Sequence, residues 1–175
     1  SPLSNSSSSH PIVTNIEAVK FDYASSIDTL PNSLKKTILL SSSQVSKIVG
    51  IPIEIDITKE INKNLIIVNE GPTPEEFNTP EIPLAVLLEG SFNSAYSNRI
   101  KPFKIDDNLE VSKETKIVVI SDGSIIKNQI QGNRPLELGF DKWTNTFYGN
   151  KEFLLNTVNY LLDDNGLINI RSKEI

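Results

Sequence analysis

The sequence contains no cysteine, and this absence excludes several kinds of chemistry. Disulfide bonds, thiolate metal sites and a cysteine nucleophile are impossible in such a chain. A lack of cysteine does not determine the cellular compartment, because cytosolic proteins and disulfide-free periplasmic domains both occur without cysteine.

Histidine is nearly as scarce, and this argues against catalysis. The single histidine, His10, lies in a serine-rich lead before Pro11, whereas a Ser-His-acid triad needs a rigidly held histidine. The acid pairs at 75–76, 106–107 and 163–164 fall in predicted loops or at a helix end, as solvated carboxylates usually do. No metal-ligand spacing and no phosphate-binding motif is present. We therefore expect no catalytic residues, no metal and no cofactor.

Basic patches, long apolar runs and methionine are also missing. A net charge of −5 with scattered cations gives no indication of binding to a nucleic-acid backbone. The longest apolar runs, 82–88 and 117–120, are far shorter than the roughly 20 residues of a membrane span. Because the chain has no methionine at its start, we expect a piece of a longer protein, with any membrane segments outside this chain.

Composition and pattern predict an α/β domain. Residues 1–10 form a flexible Ser-rich lead, and residues 11–175 form a single α/β domain. The runs at 83–90 and 115–121 favour central strands covered on both faces. Seven segments have strand-like patterns: 16–23, 35–42, 51–58, 65–68, 83–90, 115–121 and 167–171. The predicted fold is a mixed, strand-rich sheet with few helices, including parallel and antiparallel pairs.

One helix is predicted at 151–163. Asn150 is a suitable N-cap, and Gly166 after Asn165 provides a left-handed stop. A broad apolar stripe should pack on the sheet; it consists of Phe153, Leu154, Thr157, Val158, Leu161 and Leu162. Asn156 and Asn159 fall off this stripe, and we expect their amides to bond the backbone of a crossing loop, with 121–150 the obvious loop.

The most favourable position for a ligand follows the strand at 115–121. Ligands of open α/β sheets gather at the carboxyl ends of strands, so Asp122, Ser124 and Asn150 are the candidate ligand-binding residues. The favoured alternative is an Asp-Gly turn in which Asp122 bonds its own loop.

Four aromatic residues precede the helix: Phe140, Trp143, Phe147 and Tyr148. They could form a satellite core under a long loop, or a protein contact surface together with Arg134. We favour the core, because large aromatic side chains are mostly buried in single domains.

KIVVISDGSIIKNQI, GNKEFLLNTVNYL and GLINIRSKE resemble the closing pattern of the gliding-motility ABC-transporter auxiliary family of Bacteroidetes. SHPIVTNIEAVKFDYASSIDTL, ILLSSS and IPLAVLLEGSF resemble its preceding segments, so the resemblance covers nearly the whole chain from about His10. Asp122 matches the first aspartate of the family's turn, while Gly123 and Ser124 replace a serine and a second aspartate. Gly149 and Asn150 match the helix start, Asn156 and Asn159 match its two asparagines, and Tyr160 replaces a tryptophan.

The resemblance implies a periplasmic region that membrane helices anchor to the inner membrane in the full-length protein. Its partners would be an ABC permease and, through it, an ATPase subunit. The implied fold is similar to class I amidotransferase-like and flavodoxin-like sheets, but without cysteine the amidotransferase chemistry does not carry over. Structural roles then fall to Gly149, Asn156, Asn159 and Gly166.

Three functions remain open from the sequence. The first is a non-catalytic auxiliary component of the transporter that acts by protein–protein contact. The second is a binding protein for a small polar ligand of the same transporter. The third and weakest is a degenerate hydrolase or amidotransferase relative.

Overall fold

A five-stranded antiparallel sheet forms the centre of the fold. The computed structural model describes residues 3–6, 9–52, 69–100 and 109–163, together with residues 56, 58, 65, 67 and 103. The strands are β1 (Leu3–Ser6), β2 (Val19–Lys20), β3 (Lys35–Ser42), β4 (Pro83–Gly90) and β5 (Thr115–Ile120). Their order across the sheet is β2-β1-β3-β4-β5, and each of these neighbouring pairs is antiparallel.

Short elements after β5 lead to a helix. A 3-10 turn spans Gly123–Ile126, and two small hairpins follow it. The hairpins pair β6 (Ile130–Gln131) with β7 (Arg134–Pro135) and β8 (Phe140–Asp141) with β9 (Thr146–Phe147). Helix α1 then spans Asn150–Leu162. The fold is therefore α/β and strand-rich with few helices, as predicted.

The hydrophobic core lies between the sheet and α1. Phe153 of α1 is fully buried in one cluster with Leu39 of β3 and Leu87 of β4. Full burial of a side chain of this size stabilises the fold by about 1.5–3 kcal/mol. The same cluster takes in Ile12, Val13, Val19 and Phe21, so the chain around β2 is part of the core.

The two strands predicted as central differ from each other. β4 lies between β3 and β5, and Leu84 to Leu87 are buried, which confirms that prediction. β5 ends the order of the described sheet, and its residues alternate between exposed and half-buried. Coverage of β5 on both faces was therefore a wrong prediction, because an apolar run does not reveal which strand lies beside it. Parallel pairs are also not found among the described strands, all of which pair antiparallel.

The remaining strand predictions have mixed outcomes. β3 has the predicted bounds, whereas the strand predicted at 16–23 is reduced to β2. The strand predicted at 65–68 is wrong at Leu65 and Ile67, which are helical. The strand predicted at 51–58 is wrong at its four described residues, because 51, 52 and 56 are irregular and Thr58 is helical. Its other four residues, the whole strand predicted at 167–171 and Gly166 lie outside the described residues.

Part of the serine-rich lead belongs to the sheet. Leu3–Ser6 form β1, which pairs with β2 on one side and β3 on the other. Composition alone points to a flexible lead and does not foresee this strand, because its pairing uses backbone groups that every non-proline residue carries.

Helix α1 confirms the predicted helix to within one residue at each end, but its cap and buried face differ. The N-cap is Gly149, without a side-chain cap bond, so the prediction of Asn150 as the N-cap is wrong. Phe153 and Thr157 are buried, whereas Val158 and Leu162 of the predicted stripe are exposed. Relative to the predicted stripe, the helix is rotated about its axis, so that the face with Phe153 and Thr157 meets the sheet and the face with Val158 and Leu162 does not.

Gly149 should not tolerate a side chain. A Cβ atom there would lie 2.2 Å from the carbonyl oxygen of Glu17, so Gly149→Ala should lower the free energy of unfolding by about 2–3 kcal/mol. Gly123→Ala is the control, because a Cβ atom there would meet nothing within 4 Å. Urea denaturation measures both, and equal midpoints for the two variants would contradict the close approach of α1 to residue 17.

Candidate functional site

Asp122 lies two residues after the end of β5 and is buried. Its Oδ2 accepts from the backbone N–H groups of Asp22 at 2.7 Å and Tyr23 at 3.2 Å. Its Oδ1 accepts from the backbone N–H of Ser124 at 2.7 Å and caps the 3-10 turn. The carboxylate thus fastens the segment after β2 to the end of β5.

The ionised form of Asp122 is stabilised by these contacts. Burial by itself would raise the pKa of Asp122, but the N–H donors of Ser124, Asp22 and Tyr23 outweigh it, so the pKa lies below its usual value. A carboxylate with both oxygens bonded to its own backbone has little capacity left for a ligand.

Asn150 uses its side-chain amide in place of a neighbouring strand. Its Oδ1 accepts from the backbone N–H of Lys20 at 3.0 Å, and its Nδ2 donates to the Lys20 carbonyl at 2.9 Å. The same Nδ2 lies 3.3 Å from the carbonyl of Ile125. Because β2 ends the sheet order, this amide satisfies an edge that no strand pairs in the described residues, and it joins α1 to β2.

A small cavity lies beside Asn150 and Ser124, and Asp122 is not among its lining residues. Its polar border consists of Lys20, Asp22, Ser124, Lys127, Gln129, Asp141 and Asn150. The volume of about 40 Å³ is room for two or three waters. Small-molecule sites usually measure about 300–1,000 Å³, so this cavity is far below the size of a typical ligand site.

Asp141 is the most heavily bonded carboxylate of the site. Its Oδ2 lies 2.9 Å from Lys20 Nζ and 3.1 Å from Thr144 Oγ1. Its Oδ1 accepts from Gln129 Nε2 and from the Trp143 backbone N–H, both at 3.1 Å. Burial raises the pKa of Asp141, but the hydrogen bonds, led by that of Lys20, outweigh it and lower the pKa to about 2.

Neither Asp141 nor Lys20 is among the site residues predicted from the sequence. The stretch DKWTN carries a turn signal, since an aspartate that bonds the backbone two residues later is a common way to open a tight turn. Asn145 adopts a positive φ of 52° in this turn, which asparagine tolerates well. Lys20 has no such signal, because its partner lies 121 residues away.

Asn156 and Gly149 contact the segment between His10 and β2, whereas Asn159 does not. Asn156 Nδ2 donates to the carbonyl of Ile12 at 3.2 Å, so the backbone it reaches belongs to the segment after His10 and not to 121–150. Asn159 is exposed, and its side chain makes no hydrogen bond within the described residues. Gly149 donates its N–H to Ala18 at 3.0 Å.

A second polar cluster lies near the C-terminal end of α1. Tyr160 Oη donates to Glu89 Oε1 at 2.8 Å, and the ring centroids of His10 and Tyr160 are 4.6 Å apart. Burial, together with the bond to Glu89, raises the pKa of Tyr160 to about 12. Burial lowers the pKa of His10, so a neutral imidazole packs on this ring.

The aromatic residues before α1 are only partly covered. Trp143 is 81% exposed and Phe147 is 58% exposed, although the rings of Phe147 and Phe140 lie 4.9 Å apart. The prediction of a satellite core is wrong for Trp143 and Phe147. Both belong to the β8–β9 hairpin, which projects these rings away from the core.

Neither a metal centre nor a membrane span is found in the part of the chain that the structure describes. No three His, Cys, Asp or Glu side chains there are grouped to hold a metal ion. No helix within the same residues combines the length and the apolar character needed to cross a bilayer.

Comparison with known proteins gives one match. Residues 1–157 match the protein family described as an ABC-type uncharacterized transport system. No curated protein and no solved structure matches the chain.

Asn150→Asp should destabilise the protein, because a carboxylate would face the carbonyl oxygens of Lys20 and Ile125 without a proton to donate. We expect a loss of about 2–3 kcal/mol in the free energy of unfolding, measured by urea denaturation at pH 7. Asn159→Asp makes the same change at an exposed position of the same helix and should cost less than about 0.5 kcal/mol. Equal losses would contradict the structural role of the Asn150 amide.

Asp141→Asn should weaken the fold in a pH-dependent way. The pKa of Asp141 is about 2 in the folded protein against an ordinary value of 3.8, so its charge stabilises the fold above about pH 4 and loses this effect as the pH falls toward 2. At pH 7 we expect the variant to lose about 2–3 kcal/mol. The difference between wild type and variant should shrink in acid.

Asp22→Asn is the control for this effect. The Asp22 carboxylate lies 3.8 Å from the same Lys20 Nζ but is half-exposed, so its substitution should change stability by less than about 0.5 kcal/mol. A loss at Asp141 that stays constant from pH 7 to pH 2 would contradict the assigned pKa.

Proposed function

Because the chain belongs to the family described as an ABC-type uncharacterized transport system, we propose that it is a non-catalytic auxiliary component of a gliding-motility ABC transporter. It lies in the periplasm, where membrane segments of the full-length protein anchor it to the inner membrane. It acts through protein contact with the permease and, through the permease, with the ATPase subunit. The family-like motifs of the C-terminal third support the assignment to gliding motility and to the periplasm.

The outward face of α1 is the observation that carries protein contact. Leu155, Val158 and Leu162 are 54%, 51% and 76% exposed. Their spacing of three and four residues places them in one row along the helix, opposite the buried Phe153. A helix that is apolar on both sides is typical of one buried between two layers, so this row fits a contact with another protein.

Binding of a small polar ligand is the weaker role. The Asp122 carboxylate and the Asn150 amide are occupied by the protein's own backbone, and the adjacent cavity measures about 40 Å³. A ligand would have to displace bonds that connect β2, β5 and α1. Protein contact requires no such loss.

A photo-crosslinking residue at Leu155 should form an adduct with the permease in cells that make the whole transporter. The adduct is identified by mass spectrometry, and the same crosslinker at Leu30 is the control. Leu30 is 75% exposed but lies in a loop before β3. An adduct with the permease from position 30 but not from position 155 would contradict the assigned surface.

Leu155→Gln combined with Leu162→Gln should lower co-purification of the permease at least about tenfold, since two leucines lose their burial. Glutamine has a helix propensity close to that of leucine, so α1 should stay folded. Leu30→Gln should leave co-purification unchanged.

The double variant Leu155→Gln with Leu162→Gln should also reduce colony spreading to the level of a deletion strain. Normal spreading of the deletion strain would refute the role in gliding.

A further inference from the structure

The two hairpins between the 3-10 turn and α1 present an aromatic and cationic surface. We define the Trp143 surface as Ile130, Arg134, Lys142, Trp143 and Phe147, all of which are exposed. Lys142 Nζ lies 5.0 Å from the centroid of the Trp143 ring and donates to the Ile130 carbonyl at 2.9 Å. Arg134 pairs with Gln131 in the neighbouring hairpin. The surface therefore joins the two hairpins.

This surface is held rigidly from beneath. Asp141 accepts from the backbone N–H of Trp143 at 3.1 Å and from Lys20 Nζ at 2.9 Å. Gln129 bonds Asp141 and also accepts from the Lys142 backbone N–H at 2.9 Å. The backbone that carries the exposed indole is thus fixed by hydrogen bonds, so little backbone freedom is lost when this surface binds.

The charge of this region is opposite to that of the whole chain. Both acids between residues 123 and 150 are engaged, Asp141 with Lys20 and Glu137 with Lys151. The three cations of the same stretch, Lys127, Arg134 and Lys142, have no acidic partner within the described residues. The chain as a whole has a net charge of −5, so these cations attract an anionic partner against the overall charge of the chain.

We propose that the Trp143 surface docks on a lipid bilayer that carries anionic headgroups. The indole lies at the boundary between headgroups and acyl chains, where tryptophan is enriched, and Arg134 and Lys142 face lipid phosphates. A hairpin with two exposed rings, Trp143 and Phe147, suits a deformable lipid surface, whereas an acidic protein would need pockets shaped for those rings. This contact goes beyond the transporter role, since its ligand is lipid and its residues differ from the α1 row.

The chain offers a direct probe of this contact, because Trp143 is its single tryptophan. The 175-residue chain is titrated with phosphatidylcholine vesicles that contain 30% phosphatidylglycerol, in low salt, and with pure phosphatidylcholine vesicles as reference. We expect Trp143 emission to shift to shorter wavelength and to be quenched by brominated acyl chains with the anionic vesicles alone. Unchanged emission would overturn the proposal.

Charge variants test whether the named cations are responsible. Arg134→Glu with Lys142→Glu should lower the partition coefficient about thirtyfold or more, since each cation near an anionic membrane adds severalfold to binding. Arg99→Glu with Lys113→Glu changes the net charge equally at two other exposed positions and should retain most of the binding. Equal losses from the two double variants would overturn the assignment of this surface.

Two further measurements distinguish lipid binding from unfolding of the variant and from binding to an acidic protein. Trp143→Ala should abolish flotation with anionic vesicles while its melting temperature stays near that of wild type; full flotation of this variant would overturn the proposal. Polyglutamate replaces the vesicles in a parallel titration, and a Trp143 response to polyglutamate without one to vesicles would assign the surface to an acidic protein instead. Permease crosslinking at Leu155 is scored separately, so either conclusion can fail alone.

Discussion

The bonds of the Asn150 amide to both backbone groups of Lys20 are the contact on which the arrangement of the site depends. β2 contributes only two residues to the sheet, so its outer edge needs a hydrogen-bond partner, and the first residue of α1 supplies it. Gly149 permits the approach, because no side chain stands between α1 and Glu17. The third bond, to Ile125, connects the 3-10 turn to the same point.

The buried polar groups of the site bond to other groups of the same protein, and this argues against a ligand-binding role. Asp122, Asp141 and Asn150 are each buried and each bonded to backbone or to a neighbouring charge. Buried polar groups without partners would be costly, so these residues stabilise the fold and leave little capacity for a ligand. The groups exposed to partners lie outside this site: an apolar row along α1 and an aromatic, cationic surface at the hairpins.

Hydrogen bonds connect the site to the exposed surfaces. Lys20 is bonded through its backbone to Asn150 and through its ammonium group to Asp141, so β2 positions both α1 and the β8–β9 hairpin. Asp141 in turn orders the backbone at Trp143. A substitution of Lys20 or Asp141 would therefore disturb the β8–β9 hairpin without changing any exposed residue of the hairpin, while the backbone bonds of residue 20 to Asn150 would remain.

The sequence by itself determined the elements with strong local signals. The apolar runs of β3 and β4, the helix near 151–162 and the α/β class follow from patterns that neighbouring residues carry together. Tertiary structure decided what lies between distant residues: β5 is at an edge of the described sheet, Asn150 bonds β2 instead of capping its helix, and Trp143 and Phe147 face outward. Asn150 and Lys20 are 130 residues apart, and local periodicity reports hydrophobicity and propensity but not which distant backbone group completes a hydrogen bond.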